Sequence, residues 1–87
     1  MTHEMTKPWN LRPGDHFVGW GPGWIVAKPS EYAGEGDIGS AAFRHREIIT
    51  FVNIHTGEKR TLPATGESTI PVVQGWAGAN GIDIPNT

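Results

Sequence analysis

Residues 16–28 read His-Phe-Val-Gly-Trp-Gly-Pro-Gly-Trp-Ile-Val-Ala-Lys. Two apolar runs flank Gly21-Pro22-Gly23, and a Trp stands on each side of that tip. Glycine takes positive φ without steric cost and proline holds its own φ fixed, so a Gly-Pro-Gly tip reverses a chain readily. The pattern predicts a tight β-hairpin. With the three central residues as the loop, Trp20 opposes Trp24, Val18 opposes Val26 and Phe17 opposes Ala27. Opposed residues share a face, and so do alternate residues along a strand, so Val18, Trp20, Trp24 and Val26 line one side of the ribbon. An opposed aromatic pair adds roughly 0.5–1.5 kcal/mol beyond its area burial. Two roles are open for the Trp pair: plugging a small core, or leaving at least one ring exposed near the turn as a recognition surface.

Composition narrows the setting. A chain of 87 residues is one domain with a thin core. Its 12 Gly, 7 Pro and 4 Trp suit short strands and tight turns better than helices. With no Cys there are no disulfide staples and no thiolate metal site. A formal charge of −2 provides no electrostatic basis for non-specific nucleic-acid binding. No apolar run approaches the ~20 residues that a membrane-spanning helix needs, and the polar start is not that of a signal peptide. Neither a membrane span nor secretion is therefore expected.

Along the chain, residues 1–10 read as an irregular arm. Leu11-Arg-Pro-Gly-Asp15 is a turn signal just before the first strand. Pro29 ends the second strand of the hairpin. The stretch 30–46 is long for a connection, and such loops are often functional. Glu47-Ile-Ile-Thr-Phe-Val-Asn-Ile54 is the clearest strand, with Ile48, Val52 and Ile54 on one face and Ile49 and Phe51 on the other. Thr56-Gly57 turns it into Lys59-Arg-Thr-Leu62. A two-residue loop there pairs Phe51 with Leu62, a three-residue loop pairs Val52 with Leu62, and the one-residue slip decides which face Leu62 joins. Thr69-Ile-Pro-Val-Val73 reads as a short closing strand, with Pro71 confining it to an edge. Residues 74–87 are a Gly-rich tail. The expected fold is all-β: a small five-stranded barrel over residues 11–73, made of two hairpins plus a short edge strand, with irregular N- and C-terminal arms.

The run Leu11-Arg-Pro-Gly-Asp-His-Phe-Val18, a turn, and then Trp24-Ile-Val26 resembles the opening of Src-homology-3-like small barrels. Those begin with a leucine, a Gly-Asp pair and a strand, and continue into a second strand carrying a valine. The short, cysteine-free, Trp- and Gly-rich chain also looks like the accessory proteins of actinobacterial phages. Both resemblances imply binding or assembly rather than catalysis, the second implies a location in the cytoplasm of a bacterial host or in a virion, and neither assigns a site residue.

Side-chain chemistry points the same way. Four His are present, but neither Asp15-His16 nor His45 with Glu47 has the spacing of a zinc pair, so no metal is expected. Ser30, Ser40 and Ser68 lack a nucleophile-elbow pattern. Gly34-Glu-Gly-Asp-Ile-Gly39 lacks the Lys of a phosphate loop, and its acids would repel phosphate. No catalytic residue and no cofactor is expected. The candidate contact residues for another protein chain, whether a host target or a neighbouring subunit, are Trp9, Trp20, Trp24, Tyr32, Phe43 and Trp76, because Trp, Tyr and Arg dominate interface hot spots. The alternative is a barrel that binds single-stranded nucleic acid by stacking bases on Trp beside a basic groove. That reading requires Arg44, Arg46, Lys59 and Arg60 to converge beside Trp20.

Overall fold

The computed structural model describes residues 3–35 and 45–84. Seven antiparallel strands form one sheet: β1 (Glu4–Thr6), β2 (His16–Phe17), β3 (Trp24–Val26), β4 (Glu31–Glu35), β5 (His45–Asn53), β6 (Lys59–Thr65) and β7 (Ile70–Val73). A 3-10 turn (Pro8–Asn10) follows β1, and one short helix, α1 (Trp76–Ala79), follows β7. The strand order is β1-β7-β2-β3-β5, with β4 beside the first half of β5, β3 beside its last residues, and β6 along its other edge.

Consecutive strands β6 and β7 show that this sheet cannot be flat. Three strands separate them, which in a flat sheet puts them ~19 Å apart. Yet residues 66–69 join them through a turn in which Ser68 N–H donates to the Thr65 carbonyl at 3.0 Å. The sheet therefore curls around one apolar interior. Phe17, Trp24, Val26, Ile49, Phe51, Ala64, Ile70 and Val72 all face it. Pro8, fully buried, and Leu11 bring the segment after β1 into the interior as well. No strand pairing closes β6 onto β7 or β1, so the expected closed five-stranded barrel gives way, among the described residues, to a curled open sheet.

The alternation read for β5 holds. Ile49 and Phe51 are buried in the core, while Val52 is buried on the other face, opposite Ile25 of β3. On that second face lies the chain after β7. His16, opposite Ile25, meets the Trp76 ring edge-on at 4.8 Å, and Ala77 is buried. Residues 75–82 are anchored there by Ala77 N–H donating to the Gly14 carbonyl at 2.9 Å and Gly75 N–H donating to Asp15 Oδ1 at 2.9 Å.

Both hairpin registers differ from expectation. His16 opposes Ile25, so Phe17, not Trp20, faces Trp24, and the connection runs over residues 18–23. The longer loop lets the Trp20 ring fold back onto the core instead of standing in the ladder. In the second hairpin Leu62 opposes Ile49. The strand stops earlier because the Asn53 side chain captures the loop: its Oδ1 accepts His55 N–H at 2.8 Å and Thr56 N–H at 3.2 Å. Such Asx turns compete directly with strand continuation. Leu62 thereby joins the core face.

The N-terminal segment is also not wholly irregular. Glu4–Thr6 pairs with β7, so β7 lies inside the sheet and not at its edge. Pro71 is tolerated there because it sits at the end of the β2–β7 ladder, where its carbonyl still accepts Val18 N–H at 3.2 Å.

Candidate protein-interaction surface

The strongest concentration of aromatic and charged side chains lies where the 18–23 loop meets the β5–β6 hairpin. Gly19 and Gly23 make the loop possible. A Cβ on Gly19 would stand 2.5 Å from Phe17 Cζ, so only glycine lets the Phe17 ring pass under the backbone there. Gly23 has φ +88°, and a Cβ on it would stand 2.5 Å from the His55 ring and 3.1 Å from Asn53 Oδ1. With both constraints met, Trp20 packs edge-on against three rings: Phe17 at 5.0 Å, Phe51 at 5.1 Å and Trp24 at 5.4 Å between centroids. Phe17 in turn stacks on Phe51 at 4.8 Å. Each such pair adds roughly 0.5–1.5 kcal/mol beyond area burial.

Arg60 completes the cluster. It opposes Phe51 in the β5–β6 ladder and so shares the core face at the mouth of the interior. Its guanidinium lies 4.8 Å from the Trp24 ring centre and 5.5 Å from that of Trp20. Glu58 Oε2 accepts its Nε–H at 2.8 Å. Trp24 is only 5% exposed, whereas Trp20 is half-buried and Arg60 exposed. The result is a surface with a hydrophobic floor, one ring partly open to water, and a cation beside it.

Of the other expected contact residues, those that are described do not gather here. Tyr32 is exposed on β4 and Trp9 is exposed in the 3-10 turn. Trp76 packs on the opposite face of the sheet, against His16. Phe43 and Arg44 lie outside the described residues. Of the three basic residues that are described, Arg60 alone is placed beside Trp20. Lys59 opposes Val52 and therefore takes the other face, as does Arg46, which opposes Thr65 near the far end of β5.

A second concave surface is an open cleft of 850 Å³ beside β1, lined among others by Met5, Lys7, Trp9, Arg12 and Asp15. Asp15 is buried, and its carboxylate accepts the Arg12 and Gly75 backbone N–H groups. Sequence reading passed over this cleft because it treated residues 1–10 as an arm. The signals available were Met5 and Trp9, apolar residues in a polar stretch.

Among the described residues no three His, Cys, Asp or Glu side chains gather into a metal-sized group. No described helix is long and apolar enough to cross a membrane. Comparison of the chain with protein-family models, curated proteins and solved structures finds no match.

Proposed function

We propose that this chain is a non-enzymatic module that binds another protein chain, with the Trp20, Trp24 and Arg60 surface as its principal contact. The observation carrying this reading is the Arg60 guanidinium within 5.5 Å of two Trp ring centres at the mouth of the core. Trp and Arg are the residues most enriched at interface hot spots, and a ring already fixed by three aromatic neighbours loses little freedom on binding. The curled sheet is read as a small barrel of the Src-homology-3-like kind, in which β7, β2, β3, β5 and β6 supply the five staves and β1 adds outside them. The partner is a host protein or a neighbouring subunit of an assembly, in keeping with the phage-accessory character of the chain.

The single-strand nucleic-acid reading has one observation in its favour, the cation beside Trp20. Against it, Lys59 and Arg46 face away, which leaves one cation among the described residues where phosphate contacts normally supply most of the affinity.

Sedimentation of the pure chain, alone and with random single-stranded DNA at low and moderate salt, separates the two. The protein-binding reading expects no co-sedimentation with DNA, and binding of a partner that is lost in both Trp20→Ala and Arg60→Ala. Salt-sensitive co-sedimentation would replace it with the nucleic-acid reading.

A further inference from the structure

The end of α1 is built from two residues that are chemically labile as neighbours. Asn80 closes the helix: its backbone N–H and its side-chain Nδ2–H both donate to the Trp76 carbonyl, at 3.0 and 2.7 Å. Gly81 then turns the chain at φ +66°, a conformation that favours glycine, and its N–H donates to the Gly78 carbonyl at 3.2 Å. The helix stop thus asks for a short side-chain amide at 80 and for no Cβ at 81. The same pairing leaves the Gly81 nitrogen unshielded from the Asn80 side-chain carbonyl. Both residues are exposed to water.

The reaction open to such a pair needs water and no other reactant. The Gly81 nitrogen attacks Asn80 Cγ, and the side-chain nitrogen leaves as ammonia, carrying the proton that Gly81 gives up. Water then adds to either carbonyl of the five-membered imide and opens it. One opening yields aspartate. The other yields isoaspartate, in which the main chain runs through the former side chain and is longer by a carbon.

The docked segment blocks this attack twice. At the Asn80 ψ of 5° the Gly81 nitrogen eclipses Asn80's own backbone nitrogen and so does not stand beside the side chain. The attacking N–H and the side-chain amide are also each held by a helix carbonyl. Freeing them unwinds α1, whose four residues are too few to persist as an isolated helix. Docking is what preserves it, through Gly75 N–H on Asp15, Ala77 N–H on the Gly14 carbonyl and the Trp76 ring on His16. That docking is of limited strength. Residues 78–81 are all exposed, and His16 Nδ1 is buried without a hydrogen-bond partner. Opening would let water reach that nitrogen, which returns part of its cost.

We infer that Asn80 is a self-modification site, which deamidates when residues 75–82 lift from the sheet and thereby prevents their return. Isoaspartate displaces Gly81 and Ile82 along the chain, so their N–H groups no longer meet the Gly78 and Ala77 carbonyls that now accept them at 3.2 and 2.8 Å. Ile84 is moved with them from its place over Gly14, where its Cδ1 lies 3.5 Å from the position of a Cβ. Aspartate acts in the same direction, because a carboxylate has no hydrogen to donate to the Trp76 carbonyl. The site involves none of Trp20, Trp24 and Arg60, so it stands or falls apart from the proposed contact surface.

The test follows the amide-to-acid mass gain at Asn80 by peptide mapping, in neutral buffer at physiological temperature. The full chain is compared with a blocked peptide of residues 76–84, with Trp76→Ala, and with the full chain in urea below its unfolding transition. The full chain is expected to react at least about tenfold more slowly than the peptide, as a reaction gated by local opening does. Trp76→Ala and low urea should each recover much of that difference, and the urea arm serves alone if the variant does not fold. The isoaspartate product, isolated and examined by hydrogen exchange, should lose protection at the Ala77 and Ile82 amides while β5 and β6 keep theirs. Equal rates in chain and peptide would overturn the inference, as would a rate indifferent to urea and to Trp76→Ala. So would a product in which Ala77 and Ile82 stay as protected as before.

Discussion

Asp15 and Gly75 stand 60 residues apart in the chain, and the Asp15 carboxylate accepts the Gly75 backbone N–H at 2.9 Å. With its other oxygen Asp15 accepts Arg12 N–H at 3.0 Å, so one buried side chain ties the turn before β2 to the segment after β7. A carboxylate acceptor at 3% exposure, shared by two backbone donors, is costly to remove because two charge-assisted hydrogen bonds are lost at once.

Asp15→Ala is therefore expected to destabilise the fold by about 3 kcal/mol. Urea denaturation followed by Trp fluorescence measures this. A loss below about 1 kcal/mol would mean that water replaces the carboxylate and that the tie is dispensable.

Arg60→Ala should separate binding from folding. An exposed cation–π contact contributes only about 0.5–1 kcal/mol, so the midpoint of unfolding should move little. Partner binding, if the Trp20 surface carries it, should fall by at least about tenfold, as for a hot-spot residue. Equal affinity in wild type and variant, measured on the purified partner by calorimetry, would move the contact elsewhere.

The glycines of the 18–23 loop give a matched pair. Gly21 and Gly23 have nearly equal φ, +90° and +88°, but only Gly23 faces close neighbours. Gly21→Ala should cost about 1 kcal/mol, the left-handed backbone penalty alone. Gly23→Ala should cost at least about 1 kcal/mol more, because the added methyl collides with the His55 ring and Asn53 Oδ1. Thermal unfolding of the two variants side by side checks the difference.

Phe51 is fully buried and touches both Phe17 and Trp20. Phe51→Ala is expected to cost about 3–5 kcal/mol, enough to unfold a domain this small near physiological temperature. Phe51→Leu should recover most of that loss while shifting the Trp20 emission, since the ring contact goes but the volume largely stays. Circular dichroism and fluorescence on the same samples read the two effects apart.

Much of the architecture was legible in the chain. The β-branched run at 47–54 could hardly be anything but a strand apolar on both sides, and it is the strand with the most pairing partners. The Trp20–Trp24 contact was also foreseen, though as a cross-strand pair. The rings meet at 5.4 Å because Trp20 folds back from a loop. Local patterns specify periodicity and where a chain can turn, since those depend on φ preferences and on alternation within a few residues.

Tertiary structure decided the rest. Register depends on which loop closes each hairpin; the 18–23 loop is held by contacts distant in sequence, Trp20 on Phe51 and the Gly23 backbone passing the His55 ring, and the β5–β6 loop by the local Asn53 turn. The same holds for Arg60, whose neighbours followed once Phe51 became its cross-strand partner. Residues 4–6 have no period of their own to betray a strand. They become one because β7 offers an edge, and a short polar segment pairs where a neighbour can satisfy its backbone. Sequence alone determined that this protein would be a small all-β domain with aromatic turns. Which aromatics lie buried, which cation rests on them and which edge stays open were fixed only when the sheet curled, because each is a property of strands that are far apart in the chain.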